Sequence, residues 1–169
     1  SGAVEATQQT TTYWVQVNSW DQANTGTAPV ISRSGANIIV DTSQAFNGNI
    51  QGNLIIEPEE STILYDVRIL RNGQSYFEKI NQTGTLNFSD TFPSGTYTVQ
   101  LSSIVSLEFL SPLIEFTFTG IALYTANLDS FTNTLTNTND VDSLSSELDF
   151  VVAQQIPEMR IIDFITGLF

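Results

Sequence analysis

The stretch Ile63-Leu64-Tyr65-Asp66-Val67-Arg68-Ile69-Leu70, followed by Arg71-Asn72-Gly73-Gln74 and then Ser75-Tyr76-Phe77-Glu78-Lys79-Ile80, decides the fold class. Residues 63, 65, 67 and 69 are all apolar. The other parity holds Leu64, Asp66, Arg68 and Leu70. Successive side chains of a strand point to opposite faces, so this period of two marks a strand with one buried face. Asn72-Gly73 lies between two such runs. Both residues tolerate the positive φ angles of a two-residue hairpin turn, which makes this the strongest hairpin signal in the chain.

The same pattern extends in both directions. Thr10 to Val17 is rich in β-branched and aromatic residues and reads as a strand, with Trp14 assigned to the core. Residues 18 to 35 carry Asn, Asp, Gly, Pro and Ser and read as one long loop. Strands are expected over Ala36 to Asp41 and over Ile50 to Glu57, with a turn at Asn47-Gly48-Asn49 between them. Further strands are expected at Thr85 to Phe88, Thr96 to Leu101, Leu107 to Leu110 and Leu113 to Tyr124. Tyr97, Val99 and Leu101 alternate with polar residues, and so do Ile114, Phe116 and Phe118. Many short strands separated by turns predict an all-β fold, an antiparallel β-sandwich of the jelly-roll kind.

The ends differ in character. Residues 1–9 are small and polar, a flexible lead-in to a sandwich domain over 10–125. Residues 126–142 are rich in Asn and Thr and read as a polar linker. In the C-terminal segment 143–169, Pro157 suits the first position of a helix running from about 157 to 169. Met159, Ile162, Ile165, Leu168 and Phe169 form its apolar stripe, a short amphipathic helix that needs a partner and is read as an assembly surface. It stops at Phe169 without a cap, so the chain is expected to continue.

Composition narrows the chemistry. The 169 residues suit a single domain with a sizeable core. Five basic residues against 18 acidic ones give a net charge of -13. That balance excludes nucleic acid as a partner, because binding it depends on Lys and Arg displacing counterions. No apolar run approaches the roughly 20 residues of a membrane span, so membrane insertion is not expected. Without Cys or His there is no zinc site of the usual kind, no Ser-His-Asp triad and no thiol nucleophile. The reading is therefore that the chain is not an enzyme and holds no obligatory cofactor.

Three groups remain as candidates. Glu57, Glu59 and Glu60 surround Pro58 and read as a solvated corner. A glycoside hydrolase, which needs two carboxylates at a set distance, is a minor alternative. Asp140-Val141-Asp142 lacks the Gly and the distal Glu of a calcium loop, though calcium held by separate loops stays open. In the loop after the first strand, Trp20 stands among Asn18, Asp21 and Asn24, with Arg33 further on. An aromatic face beside amide and carboxylate groups is the make-up of a sugar site, whereas a buried Trp20 would only plug one end of the sandwich.

Two stretches carry a resemblance. Asp149 to Phe169, with Ile156-Pro157-Glu158-Met159-Arg160-Ile161-Ile162-Asp163-Phe164-Ile165 at its centre, resembles a segment found in phage tail and baseplate structural proteins. Gly84 to Val99, with its Gly95-Thr96-Tyr97-Thr98-Val99 rhythm, resembles galactose-binding-like and carbohydrate-binding jelly rolls. Together they imply a virion structural or adhesive part, partnered by other virion subunits or by itself. They place it in a virion assembled in the host cytoplasm, or outside the cell. A carbohydrate-binding module that recognises surface glycans is the alternative. No catalytic residue is implied.

Overall fold

The computed structural model describes residues 13–25, 30–103, 110–124 and 126–137. Eleven strands follow one another: β1 (Val15–Gln16), β2 (Asp21–Thr25), β3 (Ile31–Ser34), β4 (Asn37–Val40), β5 (Ala45–Glu57), β6 (Tyr65–Arg71), β7 (Gln74–Gln82), β8 (Leu86–Thr91), β9 (Gly95–Ser103), β10 (Leu113–Tyr124) and β11 (Asn127–Asn137). A 3-10 turn at Thr42–Gln44 separates β4 from β5, and Asp41 caps it by accepting from the Ser43 amide at 3.0 Å. The strands form two antiparallel sheets. One has the order β3-β4-β9-β6-β7, with β1 beside β9; the other is β2-β11-β10-β5-β8. This is an all-β antiparallel sandwich, compatible with a jelly roll.

The decisive hairpin forms as expected. Tyr65, Val67 and Ile69 are buried, and Asn72 and Gly73 have φ of 50° and 82°. The Asn72 side chain adds a tertiary tie, its Oδ1 accepting from the Thr96 amide at 2.9 Å. In β9, Tyr97, Val99 and Leu101 face inward, and in β10 Ile114, Phe116 and Phe118 do so. Burying each such side chain contributes about 1.5–3 kcal/mol.

Phe92 is the hub of the core. Its ring lies 5.2 to 5.6 Å from those of Tyr76, Tyr97, Phe116 and Phe118. Phe77 of β7 stacks on Phe88 of β8 at 3.8 Å and joins the two sheets along one edge. Along the opposite edge Gln22 of β2 donates to the Ile31 carbonyl of β3, at 3.0 Å.

Several expectations change. The long loop of residues 18–35 contains two strands, β2 and β3. Neither has a run of alternating apolar residues; each is an outermost strand of its sheet, and most of its side chains are exposed. The polar linker of 126–142 is replaced over 127–137 by β11, a full member of the sandwich pairing with β10 along its whole length. Its inward set is Phe131, Asn133, Leu135 and Asn137. Two asparagines at buried positions hide the alternation. Each meets a partner distant in sequence: Gln22 donates to Asn133 Oδ1, and Asn137 Nδ2 donates to the Asn18 and Ser19 carbonyls. Trp14 is not core. It precedes β1, whose neighbours Val15 and Val17 face inward, and it is half-buried on the opposite side. The lead-in 1–9, most of the strand expected at Leu107–Leu110, Asp140-Val141-Asp142 and the C-terminal helix lie outside the described residues. So do Met159, Ile162, Ile165, Leu168 and Phe169.

Candidate functional site

The residues grouped around Trp20 do not converge. Trp20 is 2% exposed and closes one end of the core, so its faces are not offered to a ligand. Its indole N–H is buried, without a hydrogen-bond partner among the described residues. Asn18 is half-buried and contributes its carbonyl to Asn137. Asp21 pairs with Thr136 and Asn24 with Asn133. Thr136 lies on the outer side of the sheet and Asn133 on the inner side, so Asp21 and Asn24 point to opposite sides of β2. Arg33 is exposed on β3, opposite Ile38. The end-plug reading of Trp20 matches this placement.

The acidic corner lies at the end of β5. Glu57, Pro58 and Glu59 line an open depression of about 450 Å³ with Thr85, Ser111 and Leu113. Among the described residues, no three carboxylates are placed together to hold a metal ion.

Two surfaces offer more organised chemistry. On the outer side of the six-stranded sheet, register puts Glu78, Arg68, Gln100 and Gln16 in one row across β7, β6, β9 and β1. The Arg68 guanidinium lies over the Trp14 ring, 4.3 Å from its centroid. Arg68 Nε donates to Gln100 Oε1 at 2.6 Å, and Gln100 Nε2 donates to Gln16 Oε1 at 3.4 Å. Gln100 and Ser102 are buried here, at 8% and 6% exposure, although they face away from the core. Stacking of this kind contributes about 0.5–2 kcal/mol and fixes the plane of the guanidinium. The signal was present in the sequence. Once Val15 and Val17 are assigned inward, parity turns Trp14 and Gln16 outward.

The outer side of the five-stranded sheet is almost uncharged. One row holds Thr25, Thr132, Thr119, Gln51 and Thr91, and the next Ala23, Thr134, Thr117, Asn53 and Ser89. A third runs Asp21, Thr136, Glu115, Ile55 and Asn87. Short bonds tie the side chains together: Gln51 Nε2 to Thr91 Oγ1 at 2.8 Å, and Asn53 Nδ2 to Asn87 Oδ1 and Ser89 Oγ at 2.7 and 2.6 Å. Towards the β10–β11 turn this face becomes apolar. Ile121 and Leu123 follow Thr119 at alternate positions, and Leu123 pairs with Leu128. Their exposures are 44%, 51% and 56%. Phe46, beside inward-facing Ala45 at the same end, is 42% exposed.

Among the described residues no helix is long and apolar enough to cross a membrane. No family model matches the chain, and no curated protein matches it.

Proposed function

We propose that this chain is a non-enzymatic structural and interaction domain of a virion, of the phage tail or baseplate kind, that associates through the outer side of its five-stranded sheet. The observation that carries the reading is the exposed cluster Ile121, Leu123, Leu128 and Phe46 at the end of an otherwise hydrogen-bonded polar face. Contiguous exposed apolar groups rimmed by polar ones mark association surfaces, since water gains by their removal. The polar rows beside them are pre-ordered by their own hydrogen bonds, so little side-chain entropy is lost when a neighbour covers them. The likeness of Asp149–Phe169 to phage tail and baseplate segments supplies the setting.

Light scattering on the full chain, from about 1 to about 100 µM, tests this reading, because association equilibria follow concentration. Wild-type protein is expected to self-associate. A triple variant, Ile121→Ser with Leu123→Ser and Leu128→Ser, is expected to stay monomeric with a nearly unchanged melting temperature. A wild-type chain that stays monomeric throughout contradicts the proposal.

A further inference from the structure

We infer that Asn47-Gly48 is a self-modification site, where the Asn47 amide converts to a carboxylate whose charge loosens the association of the chain with its own copies. The chain holds two Asn-Gly pairs, Asn47-Gly48 and Asn72-Gly73. All four residues have positive φ, 59° and 67° in the first pair, 50° and 82° in the second. Both glycines stand in open space, with no atom within 4 Å of where a Cβ would be, so neither pair is shut by crowding. The asparagines differ. Asn72 is bound to Thr96 twice, its amide donating to the Thr96 carbonyl at 2.7 Å and its Oδ1 accepting from the Thr96 amide at 2.9 Å. Asn47 is exposed, and its side chain has no hydrogen-bond partner among the described residues. It lies on a bulge. Ala45 pairs with Ala122 and Ile50 with Gly120, so residues 46–49 oppose the single residue Ile121, and they have no partner in β8. Rotation there leaves the ladders of β5 intact, whereas rotation at Asn72 must release β9.

The chemistry needs only water. The Gly48 amide nitrogen gives up its proton and attacks Asn47 Cγ. The Cγ–Nδ2 bond breaks, the departing nitrogen takes up a proton, and ammonia leaves behind a five-membered succinimide. Glycine suits the second position because it has no side chain to block the approach. Water then opens the ring. Attack at Cγ leaves aspartate at position 47, and attack at the main-chain carbonyl leaves isoaspartate, in which the chain runs through Cγ. Either product carries a negative charge at neutral pH. That charge stands next to Phe46 and opposite Ile121, which are 42% and 44% exposed. Its consequence rests on the association reading above. In a chain of net charge -13, one more carboxylate at the apolar end sets like charges against each other when copies meet.

The full chain is aged in mildly alkaline buffer, and peptide mapping by mass spectrometry follows amide-to-acid conversion at both pairs. Conversion at Asn47 is expected to run about tenfold or more faster than at Asn72, since freeing Asn72 breaks two hydrogen bonds. Light scattering then compares Asn47→Asp, which builds in one product, with Asn47→Gly, which keeps the left-handed angle and cannot react. Asn47→Asp is expected to associate about tenfold more weakly than fresh wild type, at an unchanged melting temperature. Asn47→Gly is expected to match fresh wild type before and after ageing. The inference is overturned if Asn72 converts as fast as Asn47, if neither converts, or if Asn47→Asp associates as readily as an associating wild type. A wild type that stays monomeric removes the association reading and this consequence with it, while the mapped rates still decide the modification itself.

Discussion

Gly52 stands under the Phe92 ring with no room for a side chain. A Cβ there would meet Phe92 Cδ1 and Cε1 at 2.5 Å and Phe118 Cε1 at 3.2 Å. Phe92 cannot swing away, because four other rings hold it. Gly52→Ala is therefore expected to destabilise the domain by about 1–3 kcal/mol, the usual cost of overpacking. Chemical denaturation would show it as a lowered midpoint at constant slope. The buried phenols give a second residue-scale outcome. Burial pushes Tyr65 and Tyr97 up from 10.0 to about 12. The unfolded chain then gives up these protons first as pH rises, so stability is intact below pH 10 and falls between pH 10 and 12. Thermal melts across that window should show a falling melting temperature. Tyr65→Phe with Tyr97→Phe should flatten the decline while lowering stability at neutral pH, since each hydroxyl donates to a backbone carbonyl, of Gly84 and Pro93.

At the scale of elements, the β6–β7 hairpin depends on Asn72 twice, through its φ of 50° and through the bond from the Thr96 amide. Asn72→Ala loses the bond and keeps an unfavourable angle, at a cost of about 1–2 kcal/mol. Asn72→Gly removes the bond alone and should cost less; unfolding curves of the two variants check the order. The hairpin was legible because turn chemistry and alternation agreed. β9 and β10 were legible for the same reason, through Tyr97, Val99, Leu101 and Ile114, Phe116, Phe118. Elsewhere the pattern gave way to tertiary context. β2, Asp21-Gln22-Ala23-Asn24-Thr25, has no apolar face and exists because β11 provides its ladder. β11 was masked by Asn133 and Asn137, which are stable in the interior only with the partners that the fold brings to them. Of the two tryptophans, Trp14 departs from the core position expected of it, whereas Trp20 takes the buried one of the two places its loop allowed. Trp20 is buried despite its polar neighbours, and Trp14 is held at the surface by an arginine 54 positions away.

For the whole molecule, the two sheets share one core and differ outside it. One presents a charged row around a fixed guanidinium. The other presents mainly Thr, Asn, Ser and Gln, with Asp21 and Glu115 in one row, and then an apolar end. Each edge of the sandwich is bridged, by Phe77 on Phe88 and by Gln22 to the Ile31 carbonyl. A chain of net charge -13 repels its copies, so contacts through an apolar end must overcome that repulsion. Raising salt shortens the screening length to about 8 Å at 0.15 M, and association is expected to strengthen with it. Sedimentation at low and high salt checks the sign, and weakening by salt would point to ion pairs as the main attraction.

Hydrogen exchange of the full chain at low and high concentration tests the central claim most directly, because it reports where association occurs as well as whether it does. The amides of Gly120–Leu123 and Leu128–Phe131, with those around Phe46, are expected to gain protection as concentration rises, while β7 and β9 exchange unchanged. Association that leaves the β10–β11 end as fast to exchange as in the dilute protein, or that protects the six-stranded sheet instead, would contradict the account.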